Sequence, residues 1–176
     1  MNISKTACNG YLSAFRDGDT SAFDSLYRET YKLMYSYALS VTNDAHLADD
    51  ASQEAFIKIY RKASTYKTGS NPIAWMISIV RNASLDLMRE RSGERAAEIR
   101  VSVRSPEDGV ASRDSVRDIL SHLGKKEREV VVLRVYGGCT VEEAAEALGI
   151  SFGSANWHYH SAVKKLRKLL EKEKNQ

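Results

Sequence analysis

Proline occurs only at Pro72 and Pro106 in this 176-residue chain, and cysteine only at Cys8 and Cys139. Two thiols far apart in sequence, with no C-x-x-C, build no disulfide framework; they read as free thiols of a cytosolic protein. No apolar run reaches the eighteen or so residues that a membrane span needs. The N-terminus, MNISKTACNGYLSAFRDGD, lacks an apolar signal core with a small-residue cleavage site. Strand-like alternation persists nowhere. There is also no phosphate-cradling glycine loop, no nucleophile motif and no metal-spaced histidine cluster. His158 and His160 sit two apart, so on a helix they point about 200° away from each other and make a poor chelate. These absences argue against an enzyme and against catalytic residues, a bound metal or a cofactor.

A further shortage is local. Asp and Glu are missing from Ala55 to Leu85, where Lys58, Arg61, Lys62, Lys67 and Arg81 accompany Phe56, Tyr60, Tyr66 and Trp75. They are missing again from Ala147 to Leu170, where Lys164, Lys165, Arg167 and Lys168 occur. Net charge is only +3, so the distribution matters more than the total. Two acid-free windows point to two faces that meet polyanions.

What is present is helical periodicity. Thr20 is placed to cap a helix from Ser21 to about Thr42, with Phe23, Leu26, Tyr27, Met34, Tyr37, Ala38 and Val41 as its buried stripe. A shorter helix near Gly10 to Arg16 precedes it. Asn43 and Asp44 form a turn, and Asp44 caps a helix to about Ala63 that buries Ala48, Ala51, Ala55 and Ile59. The acidic first half and basic second half of that helix suit its dipole. A polar loop, STYKTGS, leads to NPIAWMISIVRN. There Asn71 caps, Pro72 takes the first helical position, and Ile73, Met76, Ile77 and Val80 face a core. Trp75, Ser78, Arg81 and Asn82 fall on another side. This helix is expected to run to about Arg91.

Residues 92–113 mix both charges with Ser, Gly and Pro and read as a linker. The expected architecture is therefore all-α: two small helical domains, 1–91 and 114–176, joined by a flexible linker. The second contains DSVRDILSHL, then a packed helix with Val130, Val131, Leu133 and Val135, ended by Gly137 and Gly138. In TVEEAAEALGIS, Thr140 and Glu143 form a capping box, Gly149 turns the chain, Ile150 plugs the core and Ser151 caps the next helix. Ala155, Tyr159, Ala162, Val163, Leu166 and Leu170 continue its buried stripe. Two capped helices around a glycine turn make a helix-turn-helix. The second would bring Ser151, Phe152, Ser154, Asn156, Trp157 and His160 to the major groove, with Lys164 further along.

LGKKEREVVVLRVYGG followed by EEAAEALGIS resembles the DNA-binding C-terminal domain of bacterial sigma factors. DTSAFDSLYRETYKLMYSYALSVTNDAHLADDASQEAFIKIYRKAS with NPIAWMISIVRNASLDLMRER resembles their N-terminal domain. With these two domains alone, the chain is similar to the extracytoplasmic-function group. The resemblance implies a transcription initiation factor that binds core RNA polymerase and helps melt the minus-ten element. It implies docking on the β′ clamp helices through Asp49, Asp50, Gln53, Glu54 and Phe56. The minus-ten element would be held by Tyr66, Lys67, Asn71, Trp75, Ser78, Arg81, Asn82 and Arg89. The C-terminal domain would read the minus-thirty-five element and bind the β flap. Members of the group are often held by an anti-sigma factor, though nothing in this sequence identifies one. Relatives commonly carry basic residues where this chain has Asn156, His158 and Ser161. The competing reading is a helix-turn-helix regulator or polymerase-binding decoy that does not open DNA; it would not need the acid-free aromatic window at 55–85.

Overall fold

The computed structural model describes residues 3–97 and 118–174. Helix α1 (Lys5–Arg16) is capped by Ser4, whose hydroxyl accepts from Ala7 N, and it starts earlier than its sequence pattern suggests. Helix α2 (Ser21–Thr42) has the expected bounds but a different cap. Thr20 is helical and makes no side-chain cap; Asp19 Oδ1 accepts from Ser21 N at 3.0 Å instead. Asn43 adopts a left-handed φ of 54° and closes α2. Asp44 then caps α3 (Ala45–Lys62) by accepting from His46 and Leu47 N–H. A 3-10 turn over Ala63–Thr65 leads into the loop before α4 (Pro72–Ala97). That helix passes Arg91 and reaches Ala97, so the first residues assigned to the linker are helical; 98–113 lie outside the described residues.

Ala48, Ala51, Ala55 and Ile59 of α3, Ile73, Met76, Ile77 and Val80 of α4, and Leu26, Leu33 and Met34 of α2 have no exposed surface. The alanines let the helices approach closely while the larger side chains fill the centre. Each large one is worth about 1.5–3 kcal/mol on burial. In α2, every residue from Leu33 to Val41 is buried, far more than one stripe allows. The reason lies in the C-terminal unit.

That unit enters the described region with a helical turn at 118–121, which buries Leu120. It continues as α5 (Lys125–Val135), α6 (Val141–Leu148) and α7 (Phe152–Lys174). Helix α5 lies against α2 and α6 lies against α4. Tyr37 and Glu129 are wholly buried where α2 and α5 meet, and the Tyr37 hydroxyl donates to Glu129 Oε2 at 3.1 Å. Arg128 Nε donates to the Ser40 carbonyl at 3.0 Å. Lys5 pairs with Glu143, and Lys32 stands over the Tyr136 ring at 5.2 Å. Val135, expected in the core, is instead exposed at the end of α5, as is Leu170 where α7 runs on past its partners.

Within the C-terminal unit, Glu127 ties α5 to α7. Its carboxylate accepts from Ser161 Oγ at 2.6 Å, from Lys165 Nζ at 2.7 Å and from Gly124 N at 2.7 Å. Burial opposes its ionisation, but these donors outweigh burial and hold the carboxyl at about 2, below its ordinary 4.5. A depressed folded-state value stabilises the fold above the unfolded one, so this contribution is complete above about pH 4.5 and drains away toward pH 2. Its upper bound is about 3 kcal/mol, which solvent screening reduces. Glu127→Gln is expected to lower the urea midpoint at neutral pH and to flatten its dependence on acid. An unchanged acid slope in the variant contradicts the assignment.

Candidate nucleic-acid interface

The loop before α4 is built around a ring that faces inward. Tyr66, read from the sequence as a nucleotide contact, is only 4% exposed. Its hydroxyl donates toward Asn9 Oδ1 at 2.6 Å and lies 2.8 Å from the Ser70 carbonyl, which binds the loop to α1. Arg16 adds a bond from Nη1 to Thr68 at 2.9 Å. Tyr66 therefore shapes the loop, and this corrects its placement as an outward group. Trp75 is half-buried, its ring centroid 5.0 Å from that of Tyr66 at 51°. One side of the indole thus rests on a fixed tyrosine, and part of its surface stays accessible.

Asn71 caps α4, its Oδ1 accepting from Ala74 N at 3.1 Å. Its Nδ2 donates to Glu146 of α6 at 3.3 Å. Lys67, Ser78, Asn82 and Arg89 are exposed. Ser78 Oγ returns to the Trp75 carbonyl, and Arg89 pairs with Asp86 at 3.1 Å. Arg81 is half-buried, and its charge acts on the Tyr37 hydroxyl. It is thereby associated with the seam between the units rather than with the Trp75 surface alone. Burial, followed by the Glu129 charge, keeps Tyr37 protonated; Arg81 only partly offsets them.

On α3, Asp50 and Gln53 are exposed while Asp49 and Glu54 are half-buried. Asp49 Oδ1 accepts from Tyr31 Oη at 3.2 Å, its Oδ2 accepts from Gln53 Nε2 at 3.2 Å, and Glu54 pairs with Lys58 at 2.7 Å. Phe56 is buried, which corrects its placement as a surface contact; its ring forms the floor of an aromatic ridge. Tyr27 lies 4.6 Å from it and Phe23 6.4 Å. Phe23 meets Phe15 at 5.2 Å and Tyr60 at 5.1 Å. Tyr27, Ile57 and Tyr60 are exposed along this ridge. The helical periodicity of α2 predicts a buried Tyr27, which the structure corrects, and it gives no role to Phe15. A visible signal was available: Phe23, Tyr27, Tyr31 and Tyr35 recur every fourth residue, a second stripe beside the aliphatic one.

The helix-turn-helix takes the geometry its sequence calls for. Thr140 N donates to Glu143 Oε2 at 2.8 Å, and Glu143 N to Thr140 Oγ1 at 3.2 Å. Gly149 turns with a left-handed φ of 63°. Ser151 Oγ accepts from Ser154 N at 3.2 Å and caps α7. Phe152, Trp157, His160 and Lys164 are exposed, and Ser154 and Asn156 are half-buried. Both thiols are sealed: burial raises Cys139 and pushes Cys8 up to about 11, with Glu29 adding to the second shift. Among the described residues no helix is long and apolar enough to cross a membrane.

Comparison with known proteins agrees with this two-part helical layout. Sigma-70 region 2 matches residues 26–94 and Sigma-70, region 4 matches residues 113–166, together more than two thirds of the chain. The chain belongs to the sigma-70 family of transcription initiation factors, which direct RNA polymerase to promoters. Within that family it is an extracytoplasmic-function sigma factor. It is 29% identical to RNA polymerase sigma factor CarQ of Myxococcus xanthus, over 90% of this chain and 95% of that one. It is 25% identical to ECF RNA polymerase sigma factor SigX of Bacillus subtilis, over 85% and 84%. Among solved structures, the sigma factor RpoE in complex with the anti-sigma factor NepR from Bartonella quintana aligns with a TM-score of 0.67 at 25% identity, covering 85% of this chain and 96% of that one. CnrH in complex with the cytosolic domain of CnrY aligns with a TM-score of 0.68 at 23% identity over 94% and 97%, a likeness of fold.

Removing the Tyr66 hydroxyl isolates its structural part. Tyr66→Phe is expected to cost about 1–2 kcal/mol and to speed amide hydrogen exchange in the loop at 66–71. Unchanged exchange there would show that the loop does not depend on this hydroxyl.

Proposed function

We propose a division of labour among three surfaces. The aromatic ridge and the acidic edge of α3, with Asp49, Asp50, Gln53 and Glu54 beside Tyr27, Ile57 and Tyr60, docks on the β′ clamp helices. The loop at 66–71 and α4 hold the melted minus-ten element, with Trp75 as the stacking platform, Lys67, Asn71 and Ser78 near it, and Asn82 and Arg89 further along the helix. The start of α7, from Ser151 to Lys164, reads the minus-thirty-five element while its unit touches the β flap. The helical units on either side of residues 98–113 act as the two working units, and that stretch acts as their tether. The protein works in the cytoplasm, beside the polymerase.

The observation that carries this reading is Trp75. Strand separation costs stacking energy, and an exposed aromatic returns about 1–3 kcal/mol for each base it receives. The indole is braced by Tyr66 and still partly accessible. The acid-free window around it lets strand phosphates approach without repulsion.

The seam adds regulation to the proposal. While Glu146 holds Asn71, that amide is not available to a nucleotide. Core polymerase must therefore separate the two units before both promoter elements are engaged, and the tether keeps the second contact at high effective concentration. RpoE is bound by the anti-sigma factor NepR. A partner of that kind would keep this chain closed.

Two outcomes follow. With core polymerase and a genomic promoter library, the chain is expected to give run-off transcripts. Trp75→Ala should cut open-complex formation about tenfold while polymerase binding changes little; Trp75→Phe should recover part of it. Polymerase binding without transcripts would favour the decoy reading. Separately, Tyr37→Phe loosens the seam and should raise affinity for core polymerase about 3- to 10-fold, because less of the free chain is closed. Equal or lower affinity in a folded variant contradicts a closed resting state.

A further inference from the structure

Helix α7 carries an outward stripe defined by what lies opposite it. Ala155 and Ala162 are buried against the rest of the C-terminal unit. Gly153, Trp157, His160, Lys164 and Lys168 are exposed along the other side. Trp157 dominates this stripe at 65% exposure, and its ring meets His158 edge-on at 4.9 Å. A helical side chain leans over the preceding turn, and one turn before Trp157 stands Gly153. A Cβ at Gly153 would meet nothing within 4 Å, so the surface one turn before Trp157 is open.

The chemistry of the stripe is unusual for a groove-facing helix. From Phe152 to Val163 there is no Lys or Arg, so the first turns hold no cationic donor for guanine O6 and N7. Cations begin at Lys164, two turns from Trp157. The major groove displays only one apolar group, the 5-methyl of thymine. A large exposed indole at the entry of this helix, with cations behind it for the phosphates, complements that methyl.

We infer that Trp157 is a specificity determinant that reads thymine 5-methyl groups in the upstream promoter element, with Lys164 and Lys168 gripping the flanking phosphates. The inference rests on the proposed docking of α7 in the major groove. It names duplex DNA as the occupant because the charge downstream on the same stripe is positive and uninterrupted by acids as far as Leu170.

The test uses holoenzyme made from the full chain and core polymerase. Upstream elements are selected from a random duplex pool, and each selected thymine is then replaced by uracil, which removes only the methyl. Replacement at one or two positions should weaken wild-type binding about 3- to 5-fold, and Trp157→Ala should be indifferent at those positions. The exposed site makes the variant compatible with folding, which a thermal melt checks. Lys164→Gln reports on the docking itself and should flatten the salt dependence of binding. If Trp157→Ala retains the wild-type uracil sensitivity while Lys164→Gln flattens the salt slope, groove docking stands and the methyl reading fails. If Trp157→Ala weakens core-polymerase binding with uracil sensitivity intact, the indole meets protein and the inference is overturned. If no upstream element is selected and Lys164→Gln changes nothing, the docking of α7 fails along with it.

Discussion

Glu129 is a carboxylate with no exposed surface, set where the two helical units meet. Taking such a group out of water is costly, and the interior must answer it with donors. Tyr37 supplies one hydrogen bond, and Lys126 Nζ lies 3.5 Å from the same oxygen. The other oxygen, Oε1, has no hydrogen-bond partner among the described residues. Such a pair contributes little net stability, whereas removing one member strands the other. Its consequence is selectivity: α5 fits α2 in a single register, because a shifted one leaves a buried charge with nothing to meet. Apolar burial supplies adhesion and the polar pair supplies the address, a combination that would let the proposed separation of the units be reversible and specific.

The other surfaces gain their meaning from that seam. With α5 on α2, α6 comes to lie on α4, and Glu146 reaches the cap of the helix that carries Trp75. The outward stripe of α7 remains open in the same arrangement. Of the two surfaces proposed to meet DNA, one is thus partly engaged and the other bare, an asymmetry that would suit a factor whose activity depends on assembly with polymerase. The aromatic ridge of α1, α2 and α3 also stays accessible, so the proposed docking on polymerase would not require the units to part first.

Much of this was legible in the residues. The caps at Asp44, Asn71, Thr140 and Ser151 and the turn at Gly149 follow from local hydrogen-bonding chemistry, which acts within a few residues and is therefore written in sequence. The positions of Tyr66, Arg81 and Phe56 were not, because each depends on a partner far along the chain. Tyr66 is drawn inward by Asn9, and Arg81 acts on Tyr37, itself bonded to Glu129. The continuous burial of α2 from Leu33 to Val41 has the same origin: a single stripe is a local property, but coverage on several sides is set by α5. Thr20 failed as a cap because Asp19, one residue earlier, offered a carboxylate to the same turn.

Whether the free chain keeps its two units together is decided by a distance measured across the seam. Fluorescent labels on cysteines placed at the exposed Glu90 of α4 and Glu171 of α7 would report the separation of the units, since the two native thiols are buried. A closed resting state gives one narrow distance population in the free chain and a shift to longer distances when core polymerase is added. A broad, long distribution in the free chain, unchanged by polymerase, would contradict it.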